Sequence, residues 1–361
     1  MKKIKEYDII RAIAVLLVII SHCMYYKIIS EYGGIQYCST EFIQINYMDI
    51  MTIKIQKLIQ NFLYTFHMPL FFALSGALFK NSINRGKFKK FKEVIIQKAK
   101  RLIIPFIIVT IFFSTPIKYL SGYYNASDNI LKDIFIGQVL MQGNTHLWFL
   151  PTLFLEFIIV WKINKINFNS KLIVGMMILL NIISSKVDII ILQNTLYCLL
   201  YFYIGFLFEE SREKINSKIE SKKNSNIVMT IILIVSTIII FNLIHFNENI
   251  YLKACKIILK VIFAILGTWM IYLISFKISK KMKNDDNKFI NIINKYSLGI
   301  YLYSDPFNYL ILFLIVKFCG IMPLYRNPWI IIIFLSRFIL TLGISMLITA
   351  ILKKKEFKYI C

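Results

Sequence analysis

The sequence predicts an all-α polytopic membrane protein of about ten transmembrane helices with both chain ends in the cytoplasm, and three observations carry that prediction. First, 58% of the 361 residues are hydrophobic and only 17% are charged, with a mean hydropathy of +0.65. A soluble domain holds about 45–50% apolar and about 25% charged residues. Second, the apolar residues fall in runs that approach the roughly 20 residues a bilayer-spanning helix needs. They lack the alternation of a barrel strand, and a helix satisfies its backbone hydrogen bonds within itself, as hydrocarbon demands. Third, the net charge of +24 is concentrated between those runs. No nucleic-acid module accompanies it, so it reads as membrane topology rather than as a nucleic-acid footprint.

The N-terminal MKKIK precedes an apolar run that ends in no small-residue cleavage site and contains Arg11 and His22, so Asp8 to Tyr26 reads as an uncleaved first span. A polar segment with Glu31, Glu41 and Asp49 leads to a second span near Leu58 to Phe79. The dense basic stretch Lys80 to Arg101 follows, and the third span starts at Leu102. Ile130 to Met141 is apolar but too short to cross alone, which leaves an interfacial or re-entrant piece. The fourth span opens at His146. The fifth, Leu172 to Ser185, and the sixth, Ile189 to Phe208, are close enough in sequence to form a tight hairpin. A charged loop, Glu209 to Asn226, precedes the seventh span, Ile227 to Ile244. The eighth is Ile257 to Phe276, and a basic loop runs from Lys277 to Lys295. The ninth is Ser297 to Val316 and the tenth Pro328 to Leu352.

Alternating from a cytoplasmic N-terminus puts most of the 43 Lys and Arg residues in the inside segments, as the positive-inside rule requires. An odd number of spans would break that pattern. No soluble domain, linker or internal repeat is visible, so residues 1–361 read as a single integral-membrane domain. The six cysteines show no metal-ligand spacing and read as small hydrophobes; no metal is expected.

Ionisable residues within spans are costly and are therefore candidates for function. Arg11 and His22 lie eleven positions apart on one helix. At about 100° per residue they return to within about 20° of each other, roughly 16 Å apart along the axis. Asp8 is placed to pair with Arg11. Glu156 falls inside the fourth span, His67 precedes Pro69 in the second, and His146 opens the fourth. His245 reads as interfacial. Ser304 and Asp305 precede Pro306 in the ninth span, and Arg337 in the tenth is a buried cation for which Glu156 or Asp305 is an available partner. Histidine suits proton abstraction from a hydroxyl near neutral pH. The inventory fits acyl transfer, and it also fits proton-coupled transport; the lack of an internal repeat weighs against a transporter.

Five segments carry a resemblance. DIIRAIAVLLVIISHC, with Arg11 and His22, resembles the R-x10-H signature of the first helix of membrane acyltransferase family 3. HMPLFFALSG, His67 to Gly76, is similar to the second-helix motif of members related to fucose 4-O-acetylase. KAKRLIIP resembles the basic segment and proline that open the third helix, HLWFLPTLFLEF the HLWFL motif, and YSLGIYLYSDP the GIYL motif of the penultimate span. The five come in family order over nearly the whole chain. Departures are Ser304 where members often have His, a basic motif (Lys98, Lys100, Arg101) poorer in Arg, and no SGNH-type esterase-like domain.

The resemblance implies an O-acyltransferase, with acyl-CoA, usually acetyl-CoA, as donor and a hydroxyl of a cell-surface or exported sugar or glycan as acceptor. It implies His22 as the catalytic residue with Arg11 as its essential partner. Glu156 is a further catalytic candidate. Arg11, Lys98, Lys100 and Arg101 are candidates for the donor's phosphates, and Asp8, His67, His146 and Asp305 are substrate-cavity candidates. The expected partners are the lipid bilayer, acyl-CoA and the acceptor, with no nucleic acid. The expected location is the cell membrane, multi-pass, of a bacterium.

Overall fold

The computed structural model of the protein describes residues 4–24, 28–30, 32–35, 46–141, 146–166, 168–221, 225–243, 250–282 and 287–354. His245 lies outside them. Eleven α-helices and one two-stranded hairpin account for most of these residues. They are α1 (Lys5–Cys23), β1 (Ile28–Ser30), β2 (Gly33–Ile35), α2 (Tyr47–Asn84), α3 (Phe91–Leu120), α4 (Ile130–Asp133), α5 (His146–Ile166), α6 (Ser170–Ser184), α7 (Ile190–Ser221), α8 (Ser225–Leu243), α9 (Ile250–Lys281), α10 (Lys288–Cys319) and α11 (Trp329–Lys354).

Among the described residues, seven helices are long and apolar enough to cross a membrane: α2, α3, α5, α7, the Cys255–Lys281 part of α9, α10 and α11. The other apolar segments expected as spans are helical too, as α1, α6 and α8. The fold is that of an all-α polytopic membrane protein. Several helices outrun their apolar centres. The charged stretch after Phe208, expected as a loop, is helix as far as Ser221. Its Glu209 and Arg212 pair at 3.0 Å one turn apart, a spacing that supports the helix. The apolar piece after Ile130 is a short helix that runs into a π-helical turn, Ile134–Val139.

The chain divides into two compact units whose segments interleave along the sequence. The first comprises Met1–Ala14, Tyr64–Lys98 and Thr152–Asn294. In it α2 and α7 meet with their backbones almost touching: a Cβ on Gly76 would run into the Phe202 carbonyl, and one on Gly205 into the Ala73 carbonyl. Such small-residue contacts let helices approach closely where hydrocarbon offers no hydrophobic drive. Beside this seam the Phe79 ring packs against Phe157 at 4.9 Å and Phe88 at 5.4 Å. Phe88 has positive φ, and its carbonyl accepts from Trp161 Nε1 at 2.8 Å. Asn181 of α6 donates to the Tyr197 carbonyl of α7 at 2.6 Å, closing the α6–α7 hairpin.

The second unit comprises Val15–Leu63, Ala99–Pro151 and Lys295–Cys361. Gly299 of α10 lies against the Thr349 side chain of α11. A buried cluster of Tyr123, Tyr124, Tyr309, Leu312, Leu324, Tyr325 and Ile333 fills the end reached by the turn after α3. Burial pushes the phenols of Tyr123 and Tyr124 up from their usual range. The hairpin pairs Ile28 with Ile35 in antiparallel register, and Asn125 clamps it by exchanging hydrogen bonds with the Gly34 backbone at 2.7 and 3.2 Å.

Candidate active site

The second unit contains a cluster built on Asp305. The His22 side chain, near the C-terminus of α1, presents Nδ1 to Asp305 Oδ1 at 2.7 Å. The backbone there is fixed from the opposite side. A helix leaves its last carbonyls without intrahelical donors, and here α11 and α10 supply them. Arg337 donates to the Cys23 carbonyl at 3.0 Å and to the His22 carbonyl at 3.4 Å. Asn308 donates to the His22 carbonyl at 2.9 Å. Arg337 also donates through Nε to Asn308 Oδ1 at 2.9 Å, which orients the amide. Arg337 is fully buried, and its cation at the C-terminal end of α1 is favourable to the helix dipole. Sequence reasoning offered Glu156 or Asp305 as its partner; the hydrogen bonds just described run to helix-end carbonyls and to Asn308 instead.

Asp305 owes its setting to the residue after it. Pro306 lies inside α10 and has no N–H, so the carbonyl four residues back, that of Leu302, loses its helical donor. His146, at the start of α5, takes that place: its Nε2 donates to the Leu302 carbonyl at 3.2 Å. Its Nδ1 then lies 3.5 Å from Asp305 Oδ2. The Tyr301 hydroxyl donates to the His146 carbonyl at 2.6 Å. Lys118, fully buried, donates to Gln138 Oε1 at 3.3 Å and lies over the rings of Tyr123 and Tyr309 at 4.7 and 5.7 Å. Its charge acts on both Asp305 and His146. His22 is the more accessible imidazole, with a side-chain exposure of 19% against 5% for His146.

Three of the sequence candidates, His22, His146 and Asp305, therefore meet within hydrogen-bonding or ion-pair distance. Lys100 and Arg101 belong to the same unit and are exposed. The others belong to the first unit. Arg11 pairs with Asp8 at 3.5 Å, and the Asp8 carbonyl accepts from Asn294 at 2.9 Å. His67 is buried with its ring edge-on to Tyr64 at 5.2 Å. Glu156 is buried, and neither carboxylate oxygen has a hydrogen-bond partner among the described residues. Lys98, expected at a phosphate, sits among rings, with Nζ 3.4 Å from the Phe157 centroid and 5.0 and 5.2 Å from those of Phe88 and Phe79. Sequence reasoning missed Asn308, Gln138 and Lys118. A cation directly after the apolar run of α3 was the available signal for Lys118.

A carboxylate hydrogen-bonded to one nitrogen of a partly accessible imidazole is the arrangement of a general base. The model of the acyltransferase 3 family, described as an acyltransferase domain, matches residues 4–350. No curated protein and no solved structure matches the chain. With the family model covering nearly the whole length and apolar helices throughout, the chain belongs to the acyltransferase 3 family and is a multi-pass membrane acyltransferase.

Proposed function

We propose that the protein is an O-acetyltransferase of the cell membrane that moves an acetyl group from cytosolic acetyl-CoA to a hydroxyl of a cell-surface or exported glycan, with His22 as the base. The observation that carries this reading is the 2.7 Å contact between His22 Nδ1 and Asp305 Oδ1. A carboxylate only accepts, so Nδ1 carries the hydrogen and Nε2 offers its lone pair. The acceptor hydroxyl gives its proton to Nε2 as its oxygen attacks the thioester carbonyl. The C–S bond breaks, the imidazolium returns the proton to the departing thiolate, and ester and free CoA thiol result. Asp305 holds the ring in the useful tautomer and stabilises the imidazolium between the two steps.

The exposed Lys100 and Arg101, in the same unit as His22, are assigned to the donor's phosphates, which cannot enter hydrocarbon; guanidinium forks suit such groups. Asp8 keeps Arg11 oriented through their 3.5 Å pair. Glu156 and His67 are enclosed in the first unit and are given no substrate contact.

The test is labelled acetate fed to cells that express the protein, with alkali-labile label measured in the surface glycan. Wild type should carry label. His22→Ala, present in the membrane at normal level, should carry none. Asp305→Asn, which keeps the shape and loses the charge, should lower transfer by about 10²–10⁴-fold. Undiminished label in His22→Ala would sink the assignment of the base.

A further inference from the structure

Asp305 faces two imidazoles, and the two present it with opposite protonation. His22 offers an N–H to Oδ1, as above. His146 has its hydrogen fixed on the other nitrogen. Nε2 points at the Leu302 carbonyl at 3.2 Å, and a carbonyl only accepts. In the neutral ring Nδ1 is then a bare lone pair, 3.5 Å from Asp305 Oδ2, with no hydrogen-bond partner among the described residues. Pro306 makes this arrangement durable, because the Leu302 carbonyl has no helical donor to return to. The groups that face His146 are Asp305 and the Leu302 carbonyl from α10, Lys118 from α3 and His22 from α1.

We propose that His146 is a positioning residue that supports catalysis only as a neutral ring, by leaving Asp305 committed to His22. The inference rests on the reading of His22 as the base. A proton taken from solvent onto Nδ1 turns the bare lone pair into an N–H aimed at Oδ2. The ring becomes an imidazolium, and Asp305 is drawn into a second ion pair. The one carboxylate then serves two cations as soon as His22 takes the acceptor's proton, and the imidazolium intermediate loses part of its counter-charge. Turnover therefore requires two imidazoles to be unprotonated at the start, one that touches substrate and one that does not.

The experiment counts protons on the acid side of the rate profile. Thiol release from saturating acetyl-CoA is followed as a function of pH in inverted membrane vesicles that carry the full-length protein and the acceptor fraction identified by the acetate label. In wild type the logarithm of the rate should fall with a limiting slope of about two on the acid side. His146→Gln keeps an amide N–H for the Leu302 carbonyl and cannot be protonated. Its slope should drop to about one, with the plateau rate retained within roughly tenfold. A merely structural role would lower the rate at every pH and leave the slope as it was. A wild-type slope of one overturns the proposal without any variant, which covers the case of a variant that does not fold. A slope of two kept by membrane-inserted His146→Gln overturns it as well. His22→Ala separates the two levels: activity surviving in it removes the base assignment itself, whereas an inactive His22→Ala with an unchanged His146→Gln slope removes only the role of His146.

Discussion

Lys98 and Arg101 are three positions apart, and the fold gives them different surroundings. The Lys98 ammonium lies against the faces of Phe157, Phe88 and Phe79, where a partly desolvated cation gains about 2 kcal/mol from the ring quadrupoles. Arg101 and Lys100 remain exposed. Lys98→Met should therefore lower thermal stability in detergent while leaving KM for acetyl-CoA within about twofold. Lys100→Ala with Arg101→Ala should raise that KM roughly tenfold or more, since a hydrogen bond to a charged group contributes about 1.5–3 kcal/mol. Equal KM effects from both would place Lys98 on the donor after all.

The same scale shows what could be read in advance. His22, His146 and Asp305 each stand out as ionisable groups in apolar surroundings. Their meeting does not, because 283 positions separate His22 from Asp305 and nothing local encodes that pairing. Arg337 was visible as a buried cation, but the hydrogen bonds described above run to Asn308 and to helix-end carbonyls, which every residue has and no sequence pattern marks. Pro306 was visible too; that its missing N–H would direct the tautomer of a histidine on another helix was not.

At the scale of helices, the close approach of α2 and α7 makes a sharper prediction than any apolar burial. Inserting a methyl where a backbone carbonyl already stands forces the helices apart, and overpacking of this kind costs about 1–3 kcal/mol. Gly76→Ala and Gly205→Ala should each lower the unfolding temperature in detergent. Gly175→Ala, where an added Cβ meets nothing within 4 Å, should be neutral or slightly stabilising through helix propensity. Loss of stability in Gly175→Ala equal to that in Gly76→Ala would show that the seam is not what the two glycines serve. The apolar centres of these helices were legible from composition. Their ends were not: α2 begins at Tyr47, well before the apolar run at Leu58, and α7 continues through charged residues to Ser221. Hydropathy marks what the bilayer holds, whereas helical hydrogen bonding and salt-bridge spacing carry a helix on into water.

For the molecule as a whole, the distribution of basic segments leads to the prediction that both chain ends are cytoplasmic. A fluorescent protein fused after Cys361 should fold and fluoresce, and alkaline phosphatase at the same point should stay inactive. The opposite result would invert the topology and move the donor-facing end of α1 with it. Each of the two compact units draws on three separate segments of the chain, a division that no shift in composition announces.

The anchoring of His22 has a consequence for biogenesis. α1 precedes every other described helix in the sequence, yet the donors that satisfy its final carbonyls come from Asn308 and Arg337, on α10 and α11. During synthesis the His22 carbonyl waits for Asn308 of α10, and the Cys23 carbonyl for Arg337 of α11. A messenger cut short before Arg337 would yield a chain with most of its helices and with the His22 backbone lacking its Arg337 donors. The Arg337 anchor of the His22 backbone is thereby added only after most of the helices have been made.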